Sequence, residues 1–455
     1  MAEHYDAIVI GTGQAGPSLA VRLAQAGRRV AILERARVGG TCVNTGCIPT
    51  KTLIASARAA HVARHGGDYG VRIGGPVGVD MQKVKARKDA VVTQSNNGVT
   101  TWLEGTPGVT LIRGHGRFVA ERTIAIGERQ LEAPQIFINT GGRAAVPKIG
   151  GLDRVSYLTN SGIMEVDFLP EHLLIVGGSY IGLEFAQMYR RFGAQVSVIE
   201  LAPKLLPRED DDVATEIRAI LEREGVKIFV SAKNLQFRKE GNEIQVSFEG
   251  QTLDCSHVLL AVGRLPNTHD LGLKEGGIEA DARGFIKVDE QCRTSAEGVW
   301  ALGDCNGRGA FTHTSWNDYE IVAANLFDND PRRISDRISC YALFIDPPLG
   351  RVGMNLDEAR KSGRKLLTGK MLMTRVGRAR EMGEMQGFMK VIVDAESKEL
   401  LGAAILGLNG DEIVHSLLDV MYAKKPYTTI SRAVHIHPTV TELVPTLLQD
   451  LKPLG

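Results

Sequence analysis

The sequence predicts an α/β protein that carries one strand–helix–strand unit twice. Two observations lead there: the turn GTGQAG follows the apolar run AIVI, and the related turn GGSYIG follows the apolar run HLLIV. A third supports them. Of the 455 residues 51 are glycine, above the average usage of about 7%, and they fall at the ends of apolar runs, where strands turn into helices.

Residues 5–34, YDAIVIGTGQAGPSLAVRLAQAGRRVAILE, read as a strand, a GxGxxG turn at Gly11, Gly13 and Gly16, a helix, and a second strand closed by Glu34. This is a Rossmann-like dinucleotide fingerprint in its full context. The first glycine permits the tight turn, the second lets backbone approach a pyrophosphate, and the third packs helix on strand. The phosphates are expected at the helix N-terminus, where free N–H groups and the dipole favour anions. Glu34 is expected to take ribose hydroxyls.

Residues 172–200 repeat the arrangement in Gly177, Gly178, Ser179, Tyr180, Ile181 and Gly182, closed by Glu200. The spacing from first glycine to acid is the same in both copies, so two dinucleotide sites are expected. Ser179 replaces the middle glycine and puts a Cβ where the pyrophosphate comes closest. Glu200 would bond a free 2′-hydroxyl and repel a 2′-phosphate, which favours NADH over NADPH; Lys204 and Arg208 lie near enough in sequence to soften that preference. Three more strands end in glycine, at Thr140 and Gly141, at Gly263, and at Gly303 before Asp304. Such ends can pass close beneath a ligand.

A chain of 455 residues exceeds one hydrophobic core and predicts about two to four domains. Its 54 basic and 53 acidic residues nearly cancel, so neither nucleic acid nor an anionic membrane is an expected partner. The first strand starts at Ala7, leaving no room for a signal peptide, and no apolar run approaches the roughly 18 residues of a membrane span. A cytoplasmic location is expected. Six cysteines are too sparse for a disulfide scaffold, and in a reducing compartment a disulfide is more often catalytic than structural.

Two of those cysteines stand in GGTCVNTGCIPTK, residues 39–51. A disulfide needs Cα atoms roughly 4.4–6.8 Å apart. Extended chain carries Cys42 up to about 17 Å from Cys47, and a regular helix separates them by about 7.5 Å of rise. Gly46 gives backbone freedom and Pro49 removes an N–H, so a distorted helical turn is expected. A zinc clip would need closer spacing and a second ligand pair, and no metal site is expected. A structural bridge over so short a loop would constrain little of the unfolded chain, which leaves redox thiols as the preferred reading.

With both nucleotide units, the cysteine pair and the LGDC run in place, the chain resembles the FAD-dependent pyridine nucleotide disulfide oxidoreductases from end to end. The resemblance implies an FAD domain in residues 1–150 that returns in 268–333, an NAD domain in 151–267, and an α+β dimerisation domain in 334–455. It implies FAD and NADH as cofactors, with NADPH possible. FAD would be held by the first fingerprint, Glu34, Gly40, Thr41, Lys51, the backbone near His115, Thr140, Gly141, Asp304 and Thr312; the second fingerprint, Glu200 and Gly263 would hold NADH. Cys47 would face the flavin and Cys42 would attack substrate, with thiolates as the reactive species. Lys51 would contact the flavin and pair with Glu184. HIHPTVTELVP, residues 435–445, matches the family's HPTxxE pattern: His437 would be acid and base, oriented by Glu442, and would reach the partner subunit's Cys42, so a homodimer is implied. Thiol–disulfide exchange needs such a group, and histidine's ordinary pKa near 6.5 suits both directions.

The expected substrate is a small disulfide or a thiophilic metal ion. No heavy-metal-binding domain precedes the first fingerprint, and the ending QDLKPLG lacks the vicinal cysteines of typical mercuric reductases. Dihydrolipoamide dehydrogenase fits the NAD preference and the histidine motif, while CIPTK and FTHTSWNDYE look more like mercuric-reductase-like flavoproteins and the reductase of the reactive-chlorine response, a group that points to Cu(II). Met371, Met373, Met382, Met385 and Met389 raise a soft-metal alternative, but gap-filling in a core or interface is the expected role. Cys305 is expected to be a buried, inert thiol. The competing class is a non-enzymatic flavin-containing electron-transfer or scaffold protein, which would show no NADH-dependent turnover.

Overall fold

The computed structural model describes residues 2–241 and 243–454. Ala7–Ile10, four buried apolar residues ended by glycine, form the middle strand of a five-stranded parallel sheet. Val30–Glu34 and then Val109–Arg113 lie on one side. Gln135–Ile138 and then Val299–Ala301 lie on the other. The last strand arrives from far along the chain, so the first layer is completed only after the second unit has been built. That unit is a four-stranded parallel sheet of Lys227–Phe229, Gln195–Ile199, His172–Val176 and His257–Leu260. The third layer is a six-stranded antiparallel sheet that starts at Cys340–Leu343. The molecule is α/β with two dinucleotide-binding units and a C-terminal α+β unit.

The two parallel units repeat each other in detail. Helix α1 (Gly16–Gln25) follows the first turn, and four helices matter for what comes next: α2 (Gly40–Asn44), α3 (Cys47–Arg64), α4 (Tyr180–Phe192) and α5 (Thr312–Ala323). Gly11 N–H donates to Leu33 O at 2.8 Å and Gly177 N–H to Ile199 O at 2.8 Å. Both glycines have positive φ, +107° and +115°, which side-chain-bearing residues rarely adopt. A Cβ on Gly16 would stand 2.2 Å from Gly11 O, and one on Gly182 would stand 2.0 Å from Gly177 O. The third glycine of each fingerprint is therefore obligatory for packing helix on strand, as its spacing predicts.

In the C-terminal sheet Phe388–Asp394 and Leu400–Leu406 are buried along their whole length. Met371, Met373 and Met389 are buried in the core beneath them, Met382 packs at its edge, and only Met385 is exposed. The first four are packing residues. Among the described residues no group of three or more His, Cys, Asp or Glu side chains is placed to hold a metal ion.

Buried charge joins the second nucleotide unit to the C-terminal sheet. Arg351, only 2% exposed, lies 3.0 Å from Asp210 and 3.7 Å from Glu209, while Lys390 lies 2.7 Å from Asp210 and 2.6 Å from Asp212. Burial alone would raise the Asp210 carboxyl, but Arg351 and Lys390 hold it below the usual range. Removing one member of such a group strands its partners in low dielectric, at a cost of about 3–5 kcal/mol. Arg351→Ala is accordingly expected to lower the urea midpoint of unfolding clearly, whereas Lys365→Ala, whose partner Glu396 is exposed, should leave it within error.

Candidate active site

The cysteine segment forms an interrupted helix. Cys42 lies in α2, the chain breaks at Thr45 and Gly46, and Cys47 opens α3. A Cβ on Gly46 would press on Thr41 O at 2.9 Å. Pro49 has no N–H to give to Thr45 O, and Asn160 Nδ2 donates to that carbonyl instead, at 3.1 Å. The expected distortion is present, and the freed backbone group is satisfied by a residue of distant sequence.

The two thiols are unbonded and hydrogen-bonded to each other. The bond from Cys42 is the largest influence on Cys47 and lowers its pKa to about 6; Thr312 and the Lys51 charge act the same way, against burial and Glu184. Cys47 Sγ is 3.1 Å from Thr312 Oγ1 at the N-terminus of α5. Cys42 is pushed far above the ordinary thiol value, first by giving its hydrogen bond to Cys47 and then by burial.

One turn into α3, Lys51 Nζ donates to both Glu184 oxygens, at 2.8 and 3.0 Å. Glu184 lies on α4 and is 6% exposed. The backbone N–H of Phe344, in the C-terminal unit, donates to the same carboxylate at 3.0 Å, and the ammonium sits 4.4 Å from the Phe344 ring centroid.

One cavity of about 2560 Å³ runs past all of these groups. At one end it is lined by Gly11, Gly13, Glu34, Gly40, Thr41 and His115; around the thiols by Lys51, Thr140, Gly141, Asp304 and Thr312; and at the other end by Gly177, Ser179, Tyr180, Ile181, Glu200 and Gly263. Gly16, Gly178 and Gly182 stand behind the wall. Glu34 accepts from the Thr12 and Ala36 N–H groups, and Glu200 accepts from the Gly178 and Ala202 N–H groups, both at 2.7 Å. The two acids are thus held alike at the ends of equivalent strands. Lys204 does not face Glu200, because its ammonium is bonded to Glu209 O and Asp211; the softening expected of it is not available.

The first half of this cavity fits a dinucleotide. A Cβ on Gly40 would stand 2.9 Å from Gly13 Cα, so only bare backbone can form that wall. Thr140 Oγ1 is buried on it without a hydrogen-bond partner. Asp304, whose carboxyl burial pushes up, projects into it beside Arg264 at 3.4 Å. Cys305 points the other way: it is fully buried, its Sγ 3.3 Å from Leu302 O, and burial pushes its thiol up to about 12.

His437 and Glu442 are not brought to this cavity. Glu442 accepts from His437 Nδ1 at 2.9 Å, and the imidazole is 78% exposed on the outer face of the C-terminal unit. Val434 and Ile436 beside it are also exposed. The sequence pattern gave no sign of Asn160, of Phe344, or of the contact between Thr312 and Cys47.

Residues 5–318 match the family model for pyridine nucleotide-disulphide oxidoreductase, and residues 339–448 match the dimerisation domain of the same family. The chain is 36% identical to the probable pyridine nucleotide-disulfide oxidoreductase RclA of Escherichia coli (strain K12), over 98% of this chain and 99% of that protein. It is 32% identical to the dihydrolipoyl dehydrogenase of Cupriavidus necator, over 98% of this chain and 97% of that one. Among solved structures, the Cu(II) complex of the HOCl-induced flavoprotein disulfide reductase RclA from Escherichia coli superposes with a TM-score of 0.91 at 35% identity, covering 99% of both chains. With the fold, the duplicated nucleotide turns and these matches in agreement, the chain belongs to the pyridine nucleotide-disulphide oxidoreductases, flavoproteins that use FAD and NAD(P)H.

Proposed function

We propose that the protein is an NADH-preferring reductase that reduces a thiophilic metal ion or a small disulfide through the Cys42–Cys47 pair. The carrying observation is the cavity that places this pair between the two nucleotide turns. Residues 1–150 with 268–333 would form the FAD domain, 151–267 the NAD domain and 334–455 the dimerisation domain. FAD, when bound in the first half of the cavity, supplies two-electron transfer between nicotinamide and cysteine pair. Glu34, the glycine turn, Thr140 and Asp304 would hold it, and Glu200 with the second turn would hold NADH.

The chain's own residues then handle protons and thiols. Reduction of the Cys42–Cys47 bond takes two electrons and one proton and yields one thiolate and one thiol. Cys47 keeps the negative charge, stabilised by the Cys42 hydrogen bond, by Thr312 and by Lys51. Cys42 keeps the proton and must lose it before attacking an acceptor. Three histidines line the cavity, His115, His313 and His415, and the first two have their Nε2 atoms engaged at Asp270 O and Cys340 O. His437 of the partner subunit would supply the base: with Nδ1 donating to Glu442, its Nε2 is free to take the proton. A dimer follows from that need. The metal-ion reading is supported by the likeness to a protein solved as a Cu(II) complex.

Turnover with NADH should exceed that with NADPH by about tenfold or more in kcat/KM; equal efficiencies would refute the role given to Glu200. Cu(II), Hg(II), lipoamide and glutathione disulfide assayed in parallel decide the acceptor, and fastest turnover with lipoamide would make the protein a dihydrolipoamide dehydrogenase. His437→Ala should slow acceptor reduction by about 10²-fold. Co-expression of Cys42→Ser and His437→Ala chains should then recover about a quarter of wild-type turnover, since half the dimers are mixed and each holds one complete site; no recovery would place the base within one chain. In the reduced protein, alkylation of Cys47 by iodoacetamide should rise with a midpoint near the value of about 6, and Lys51→Met should move that midpoint upward because a favourable charge is lost.

A further inference from the structure

The two nucleotide units agree in backbone bonding and carboxylate placement, yet they differ at buried positions: Thr12 stands where the second unit has Gly178, and the residue after one inner strand differs as well. The residue after Gln135–Ile138 is Asn139; the residue after His257–Leu260 is Ala261. The backbone shows that the two positions correspond. Asn139 N–H donates to Ile10 O at 2.8 Å and Ala261 N–H to Val176 O at 2.8 Å. A Cβ on the first glycine of each turn would meet the carbonyl of that residue, at 2.3 and 2.4 Å.

Asn139 is 5% exposed and every polar atom of its amide is engaged. Oδ1 accepts from Gly16 N–H at 3.1 Å; Nδ2 donates to Leu302 O at 2.9 Å and lies 3.5 Å from Ser315 Oγ. One side chain thus ties the N-terminus of α1 to the strand end that precedes Asp304 and to α5. The first N–H groups of a helix lack intrahelical partners. Such groups in the turn can serve an anion, while Gly16 N–H is shared between Gly13 O at 3.2 Å and Asn139 Oδ1. The Ala261 side chain carries no polar atom, so the second turn is not tied in this way.

We infer that Asn139 is a positioning residue that locks the first nucleotide unit around a resident cofactor, while the untied second unit opens for a nucleotide that exchanges at each turnover. The inference rests on assigning FAD to the first unit and NADH to the second. With Asn139 in place, the phosphate-binding end of α1 and the Asp304 turn cannot separate without breaking two buried hydrogen bonds. The second turn, which has the Glu200 bond to Gly178 N–H but no side-chain tie equivalent to Asn139, can loosen as nucleotide enters and leaves.

The test compares release of FAD from purified holoenzymes, read as the rise of free-flavin fluorescence after dilution, with the KM for NADH. Asn139→Ala should release FAD about tenfold faster than wild type, the loss expected of one to two net hydrogen bonds, with the KM for NADH unchanged. Asn139→Asp keeps the acceptor for Gly16 N–H but turns an acceptor toward Leu302 O; it should also release FAD faster, and it decides the matter if the alanine variant yields no folded holoenzyme. Wild-type release in the variant that folds overturns the inference. So does faster release accompanied by an equal rise in KM for NADH, which marks general loosening. Glu34→Ala is the control: if it too retains FAD as wild type does, the assignment of FAD to the first unit is what fails.

Discussion

The geometry around the thiols depends on one ion pair. Lys51 and Glu184 meet at 2.8 Å, and each comes from a different unit: Lys51 from the cysteine helix α3, Glu184 from the fingerprint helix α4 of the second nucleotide unit. The Phe344 N–H brings in the C-terminal unit at the same carboxylate. A carboxylate as buried as Glu184 is costly without a cation, so the pair is strongly favoured to stay formed. Lys51 stands four residues after Cys47 and therefore shares its face of the helix. What holds the lysine also sets where the thiol points.

The same division of labour recurs through the molecule. Within each unit the interior is apolar, as the all-buried Ala7–Ile10 strand shows. Between units, buried apolar side chains such as Leu53, Phe185 and Leu349 also meet, but ionic contacts stand beside them. Arg191, on α4, lies 2.7 Å from Glu224 and 2.5 Å from Asp346 of the C-terminal unit, and Arg58, on α3, reaches Asp346 at 2.5 Å as well. Apolar surfaces tolerate sliding, but a guanidinium held between two carboxylates does not. Ionic seams thus fix how the units sit, and the two nucleotide turns stay aligned on the cysteine pair between them.

This arrangement explains what the sequence could and could not disclose. Gly11, Gly16, Glu34 and their second-unit counterparts are local patterns whose spacing follows from the strand–helix turn itself, and they stand where that spacing puts them. Lys51 and Glu184 were legible only through resemblance, since 133 residues separate them. Asn139, Asn160 and Thr312 bond partners 123, 115 and 265 residues away, and no periodicity encodes such contacts. The start of the C-terminal unit was also blurred: Ile334 packs into the core of the first unit, and the antiparallel sheet begins only at Cys340. Of the five methionines, Met371, Met373 and Met389 are buried and Met382 packs at the core's edge, as the packing reading expects, while Met385 is exposed.

In the proposed reading, the unequal thiols explain why the catalytic base belongs to another chain. Every group near Cys47 that favours its thiolate also makes it a weaker nucleophile, since nucleophilicity falls with pKa. Cys42 has the opposite character: it stays protonated and, once deprotonated, is the stronger attacker. A base held permanently beside Cys42 would compete with Cys47 for the hydrogen bond that stabilises the reduced pair. His437 is instead mounted on the outer face of the C-terminal unit, oriented by Glu442 and flanked by exposed Val434 and Ile436. Apolar side chains so placed around a poised imidazole are costly to leave in water and are well suited to burial against a second copy. Dimerisation would then bury them and deliver the base in one event, so that a lone chain could accept electrons but pass them on only slowly.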